Sequence, residues 1–347
     1  MTGRPTPPWR DERVLAWLAQ LVVAAAVLAV VGYGAQSILA DMRARGLAPG
    51  LAFLGNTAGF RIGEGPAFDG ATDTYARAFG VGLVNTARVA LAGVVLSTVL
   101  GLAVALGRLS GNPLVERLCL VYVDAFRNTP LVVQLIFWYQ GVVLRLPPIA
   151  DSLALGGTAG AAGGVQALAG GAAAPTAWVF LSQRGLALPA LTADGLVLPA
   201  LSRFSYTGGT VLSPELAALL IGLVAYTAAF VAEVIRGGIL AVPHGQREAA
   251  RALGLHDPQV MRRVVLPQAL PVIVPPLTSQ YLNLVKNSSL AIYVGFPDLF
   301  NVSLTIGNNT GQFVVVTAMI MAVYLGLSLA TSLVMNLYNR RVQVVAR

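Results

Sequence analysis

The stretch QREAARALGLHDPQVMRRVVLP, from Gln246 to Pro267, decides how this chain is read, because it is a charged interruption between long apolar runs. Gln246 to Leu253 holds good helix formers throughout, and Ala249, Ala250 and Leu253 fall on one face at helical spacing. Pro243 and Gly245 begin a turn before it, and Gly254 supplies the left-handed conformation in which helices commonly end. Asp257 then reads as an N-cap with Pro258 at the first helical position. Met261, Val264 and Val265 form the apolar side of this second helix, and Pro267 and Pro271 are expected to end or kink it. Two short helices at an angle make a rigid elbow. Small side chains at Ala249 and Ala250 admit another protein's backbone, with Arg247, Glu248 and Arg251 as charged contacts around the rim.

Outward from the elbow, composition sets the class. Hydrophobic residues make up 56% of the chain and charged ones 11%, which excludes a soluble domain of this length. Apolar runs long enough to cross a bilayer are expected over Val14 to Ala40, Val81 to Gly107, Leu118 to Leu144, Ser213 to Ala232, Leu266 to Gly295 and Phe313 to Tyr338. The net charge is +8, yet the arginines are scattered along the loops with no basic tract, so nucleic-acid binding is not indicated. Their placement reads as topology. With the N-terminus inside, segments 1–13, 108–117, 236–263 and 340–347 are several times richer in basic residues than 41–79, 145–212 and 297–312. Both termini and the elbow therefore belong on the cytoplasmic side.

Arg4, Arg10 and Arg13 before the first span resemble a secretory signal, but its apolar run exceeds the usual length of such a segment, which favours a retained anchor. Ser152 to Gln183 is uncharged and rich in Ala and Gly, with pairs at Gly156-Gly157, Gly163-Gly164 and Gly170-Gly171. One more crossing there would move the basic elbow outside, so an outer low-complexity loop or a re-entrant piece is expected. The single cysteine, Cys119, excludes an internal disulfide framework. His244 and His256 lack HExxH spacing, no G-x-S-x-G elbow occurs, and no metal or catalytic group is assigned.

The elbow closely resembles the EAA motif of membrane subunits of bacterial ATP-binding-cassette importers: Glu248, Ala249, Ala250, Gly254, Leu266 and Pro267 match, with Val264 where isoleucine is usual. Further blocks are similar to the polar amino-acid uptake branch. They are Phe126-Arg127-Asn128-Thr129-Pro130-Leu131 with Val133-Gln134, Glu233-Val234-Ile235-Arg236-Gly237-Gly238, and Leu284-Val285-Lys286-Asn287-Ser288-Ser289-Leu290. The added first span, the long outer loop and Arg184-Gly185-Leu186-Ala187-Leu188-Pro189 point to the general L-amino-acid permeases. The resemblance implies an all-α polytopic bundle, like a type I importer permease, in the bacterial inner membrane. It divides the chain into 1–74, a tail, span and outer loop, and 75–347, the permease core with its outer loop at about 145–212 and coupling loop at 236–267.

The resemblance also implies a division of labour. The chain has no G-x-x-x-x-G-K-[ST] loop, so ATP and Mg are expected on a dimer of separate ATP-binding subunits, and the chain itself is not an enzyme. Glu248, Ala249, Ala250, Gly254, Leu266 and Pro267 are the coupling residues, seated in a cleft of that ATPase. A periplasmic amino-acid-binding protein delivers substrate, and a second, related permease completes the pathway. Asn283, Lys286, Asn287, Ser288 and Ser289, with Glu233, are candidates to line the route. An unpaired lysine in a span costs about 3 kcal/mol on insertion scales, so Lys286 must face protein or water. It either meets a substrate carboxylate or pairs with Glu233 or a helix carbonyl. Pro271, Pro275 and Pro276 predict a broken helix upstream. Asp124 and Arg127 have the spacing of an intrahelical pair, and Arg88 is expected to snorkel to the outer interface. An ion-coupled secondary transporter is the rival reading; it predicts inverted repeats, none of which is evident, and needs no docking elbow.

Overall fold

A computed structural model describes residues 12–44, 50–156, 176–192, 195–202 and 205–342. Arg4, Arg10 and the glycines at 157, 163, 164, 170 and 171 lie outside the described residues. Helix α1 spans Glu12–Ala44 and α2 spans Tyr75–Arg108. Thr74 caps α2 by accepting the Arg77 N–H at 3.4 Å. Helix α3, Pro113–Asn128, starts at an Asn112 side chain that accepts from Leu114 N at 3.0 Å and Val115 N at 3.4 Å.

The run from Leu118 to Leu144 is not one helix. Thr129, pushed into extended backbone by Pro130, separates α3 from α4 (Leu131–Ile136), which continues as a π turn, Phe137–Val142, and a 3-10 turn, Val143–Arg145. Gln134 Nε2 donates to the carbonyls of Phe126 and Thr129, both at 2.9 Å, repairing the break. Asp124 and Arg127 form no ion pair: Asp124 is exposed, and the Arg127 guanidinium lies 5.1 Å from the Phe230 ring centroid. That cation–π contact draws Arg127 across to the neighbouring helix.

The outer loop carries strands that hydropathy did not announce. β1 (Leu153–Leu155), β2 (Val179–Ser182), β3 (Gly185–Leu188) and β8 (Thr210–Leu212) form an antiparallel sheet in the order β1-β2-β3-β8. Two ribbons accompany it, β4 (Ala190–Thr192) with β5 (Gly195–Val197) and β6 (Ala200–Leu201) with β7 (Tyr206–Thr207). Phe180 stacks on Tyr206 at 5.4 Å, and the Tyr206 hydroxyl donates to Ser182 Oγ at 2.7 Å. The described ends of the 152–183 segment thus belong to this small sheet. The Arg184-to-Pro189 block supplies its central hairpin, where Gly185 has φ +106 and a Cβ would stand 2.0 Å from the Leu212 carbonyl.

Helix α5, Pro214–Leu240, follows directly, with Ser213 Oγ accepting from Leu216 N at 3.1 Å. Next come α6 (His244–Ala252), α7 (Asp257–Val260), a π turn (Met261–Val265) and α8 (Leu266–Asn287). A 3-10 turn, Ser288–Val294, ends at Gly295, and α9 (Leu299–Thr310) and α10 (Phe313–Val342) complete the chain. Among the described residues, five helical segments are long and apolar enough to cross a membrane: Leu15–Gly34, Tyr75–Arg108, Pro214–Leu240, Asp257–Val294 and Phe313–Arg341. The Leu131–Arg145 piece is shorter, so the third expected span is a broken one. Helix α5 is the centre of the bundle. Glycines let its neighbours close on it: a Cβ on Gly101 of α2 would stand 2.6 Å from Val231 Cγ1, and one on Gly238 would stand 2.2 Å from Ile273 Cγ1 of α8.

Candidate functional site

The elbow folds as two helices at an angle, with boundaries that differ from the sequence reading. The first begins earlier, at His244, after Pro243 has left the previous helix in extended backbone. Gly254 has φ +82 and lets the chain turn, as its position implied. The second helix is capped by His256, not Asp257, and the Gln259 side chain accepts the His256 N–H at 3.1 Å. Asp257, one position inside, instead receives both Nε and Nη2 of Arg251, each at 2.9 Å. This pair staples the two arms of the elbow.

Pro267 does not stop the second helix. The π turn at Met261–Val265 absorbs the change of register, and Pro267 sits at the start of α8, where a missing N–H does little harm. Helix α8 also runs through Pro271, Pro275 and Pro276 and gives way to a 3-10 turn only at Ser288. The break lies downstream of the prolines.

The residues of the elbow divide between two roles. Ala250 is 5% exposed and joins Val242, Val260, Val265, Ala269, Ile235 and Ile239 in one core cluster, so it anchors the elbow and offers no surface. Arg247 is likewise turned inward, its Nη2 donating to the Ile239 carbonyl at 2.6 Å. That carbonyl belongs to the last turn of α5, which lacks intrahelical donors and attracts a cation. Left outside are Glu248, whose Oε1 lies 3.1 Å from His244 Nδ1, then Ala249, Gly254 and Leu253, which is 83% exposed. Leu266 is half-buried and Pro267 exposed. The sequence reading grouped Leu253 with Ala249 and Ala250 on one apolar face; of the three, Ala249 and Leu253 are exposed and Ala250 is buried.

The second candidate group lies at the end of α8. Asn283 and Lys286 are exposed on one face, Asn287 and Ser289 are half-buried, and Ser288 is buried with its hydroxyl donating to the Val285 carbonyl at 2.7 Å. Lys286 has no ion-pair partner among the described residues, and it stands in the last turn, where a helix favours a cation. It does not pair with Glu233. That carboxylate, near the other end of α5, receives Arg108 from the last turn of α2 and a two-pronged contact from Arg236, the closer nitrogen at 2.9 Å. Two nearby guanidiniums outcompete a lysine on another helix, and the structure does not bring Glu233 to the α8 group.

At the outer end a polar recess of about 450 Å³ lies between Arg61, Glu64, Ser213, Glu215, Asn301 and Thr305. Burial pushes the Glu64 carboxyl above its ordinary value, and the neighbouring Glu215 adds to the effect, against hydrogen bonds from Ser213. The Tyr139 hydroxyl donates to Glu215 at 3.0 Å. Sequence reasoning passed over both carboxylates because one lies in a loop and the other in the first turn of a span. Arg88 of α2 lines an adjoining recess with Glu64 and Asn85.

An elbow thus lies at one end of a helical bundle, its inner face in the core and its outer face exposed. Residues 97–344 match the family of binding-protein-dependent transport system inner membrane components, and the chain belongs to it. It is 42% identical to the amino-acid ABC transporter permease protein YhdX of Escherichia coli (strain K12), covering 97% of this chain and 96% of that one. It is 39% identical to the general L-amino acid transport system permease protein AapQ of Rhizobium johnstonii, over 97% and 94% of the two chains. Among solved structures it is similar to an amino acid ABC transporter crystallised with histidines, at 25% identity and a TM-score of 0.53, covering 77% of this chain and 95% of that one. The protein is a multi-pass inner-membrane permease of an amino-acid ATP-binding-cassette importer, the translocating subunit and not the ATPase.

Proposed function

We infer that this permease admits polar L-amino acids by alternating access, with the elbow as its coupling element. ATP and Mg are held by an ATPase dimer, and a binding protein presents substrate at the outer mouth. The exposure of Glu248, Ala249, Leu253 and Gly254 on an elbow whose other face is core carries this reading. A push on such a tip moves the helices behind it, and the motor's unequal affinity for two states supplies the drive. Leu266 and Pro267 mark the joint where the elbow enters α8.

Asn283 and Lys286, exposed one turn apart near the end of α8, support a route between this chain and a second permease, with Asn287, Ser288 and Ser289 shaping its wall. A lysine left without an ion-pair partner among the described residues meets either the opposing subunit or a substrate carboxylate. The partner is proposed to be a related but different permease. Glu233 acts at the cytoplasmic end of this bundle and not on the route.

The test is labelled amino-acid accumulation in cells carrying Glu248→Lys. Reversing a charge at a docking surface costs several kcal/mol of complementarity, so accumulation is expected to fall at least about tenfold while membrane insertion is unchanged. Undiminished accumulation in the variant would count against the elbow as the coupling element.

A further inference from the structure

Two paths lead from the elbow into the membrane. The C-terminal path is the helix itself, α7 running through the π turn into α8. It is compliant, because the π turn and the prolines inside α8, at 271, 275 and 276, each remove or re-register backbone hydrogen bonds. The N-terminal path is the linker Ala241-Val242-Pro243 between α5 and α6. By itself such a linker fixes distance but not angle.

Arg247 fixes the angle. Its Nη2 donates to the Ile239 carbonyl at 2.6 Å, a bond from the first turns of α6 to the last turn of α5. A guanidinium on a helix C-terminal carbonyl is charge-assisted and complements the partial negative charge there. Two turns up α5, Glu233 holds Arg236 of its own helix and Arg108 of α2, so α5 is fastened in turn to the end of α2. Gly238 lies between the two fastenings, in close contact with Ile273 of α8.

We propose that Arg247 is a positioning residue for energy coupling: seated on the Ile239 carbonyl, it makes the elbow and α5 turn as one body, and α5 carries the motion to α2 through Glu233. This rests on the elbow being the coupling element. Its specific content is that motor displacement enters mainly through α5, the most buried helix, and not through the proline-rich start of α8.

The experiment uses the full transporter in proteoliposomes, comparing wild type, Arg247→Met and Arg247→Lys. Co-purification of the ATPase, basal ATP hydrolysis and amino acid taken up per ATP are measured on each. Arg247→Met keeps the length of the side chain and removes its donors. It is expected to retain the ATPase and basal hydrolysis while uptake per ATP falls about tenfold, the scale of one lost charge-assisted hydrogen bond. Arg247→Lys, which can still donate to the carbonyl, is expected to recover at least about half of the wild-type ratio, since one donor suffices. Uptake per ATP within about twofold of wild type in Arg247→Met would overturn the proposal, as would equal loss of ATPase binding in both variants, because a folding defect is not relieved by a remaining donor. ATP-dependent uptake by the wild-type complex is the internal reference; its absence would instead overturn the importer reading.

Discussion

Helices α1, α5 and α10 are alike in hydropathy and unlike in burial. Two thirds of the α5 window is buried within the chain, against 11% for α10 and none for α1. Hydropathy therefore decides that a segment enters the bilayer and says nothing about what it meets there. Small residues are not a sufficient sign either, since α1 carries Ala24-Ala25-Ala26, Gly32 and Gly34 and still buries nothing. What distinguishes α5 is that other helices carry their own glycines at the heights where they cross it, as Gly101 does opposite Val231 and Ala228. Close packing is a property of pairs of helices.

Gly101→Leu strikes that difference hardest. The new Cβ would meet Val231 Cβ at 2.8 Å and the Ala228 carbonyl at 3.0 Å, a stiff side chain and a backbone atom that cannot swing away. Destabilisation by about 3 kcal/mol or more is expected, read as a lowered midpoint of thermal unfolding in detergent. A midpoint unchanged from wild type would show that α2 and α5 are not so closely packed.

A finer probe asks what holds the less buried α10. The Tyr324 hydroxyl of α10 donates to Asp298 Oδ2 at 3.3 Å, while Asp298 caps α9 through the Asn301 N–H at 2.9 Å. Asp298 lies between the spans, and burial pushes its carboxyl up to about 6 from 3.8, against the backbone N–H groups of Asn301 and Phe300 and the Tyr324 hydroxyl. The folded state thus binds this proton more tightly than the unfolded one. Its contribution is greatest below the ordinary carboxylate value and is lost as pH rises through about 6. Asp298→Asn keeps a capping acceptor and removes the titration. It should abolish that slope and stabilise the protein above neutral pH by about 2 kcal/mol, measured as unfolding midpoint across pH. A slope that survives in the variant would assign it to another group.

The smallest effect belongs to α1. Leu28 is 70% exposed, and Leu28→Ala is expected to shift stability by less than about 0.5 kcal/mol in the same unfolding assay. A larger loss would mean that α1 packs against the bundle after all.

The candidate site was legible in unequal parts. Gly254, the two-helix form of the elbow and the outward Glu248 followed from local signals, because capping and φ preferences act over a few residues. Arg247 and Ala250 were misread as surface, since helical periodicity gives a face without naming which side is inside. Lys286, marked as needing water or protein, is exposed with no ion-pair partner among the described residues. Its separation from Glu233 depended on Arg108, which is 125 residues away from Glu233 along the chain. The break at Thr129-Pro130 was written in the proline, yet the apolar run around it hid the interruption.

By itself the sequence determined the membrane class and the motifs that tie the chain to its family, because hydropathy and turn chemistry are local properties. The tertiary structure alone decided which span is the centre, that the outer loop folds as a sheet with Phe180 on Tyr206, and that Arg247 faces α5 instead of solvent. These depend on partners far apart in the chain, whose meeting is settled by close packing and by the need of each buried polar group for a partner.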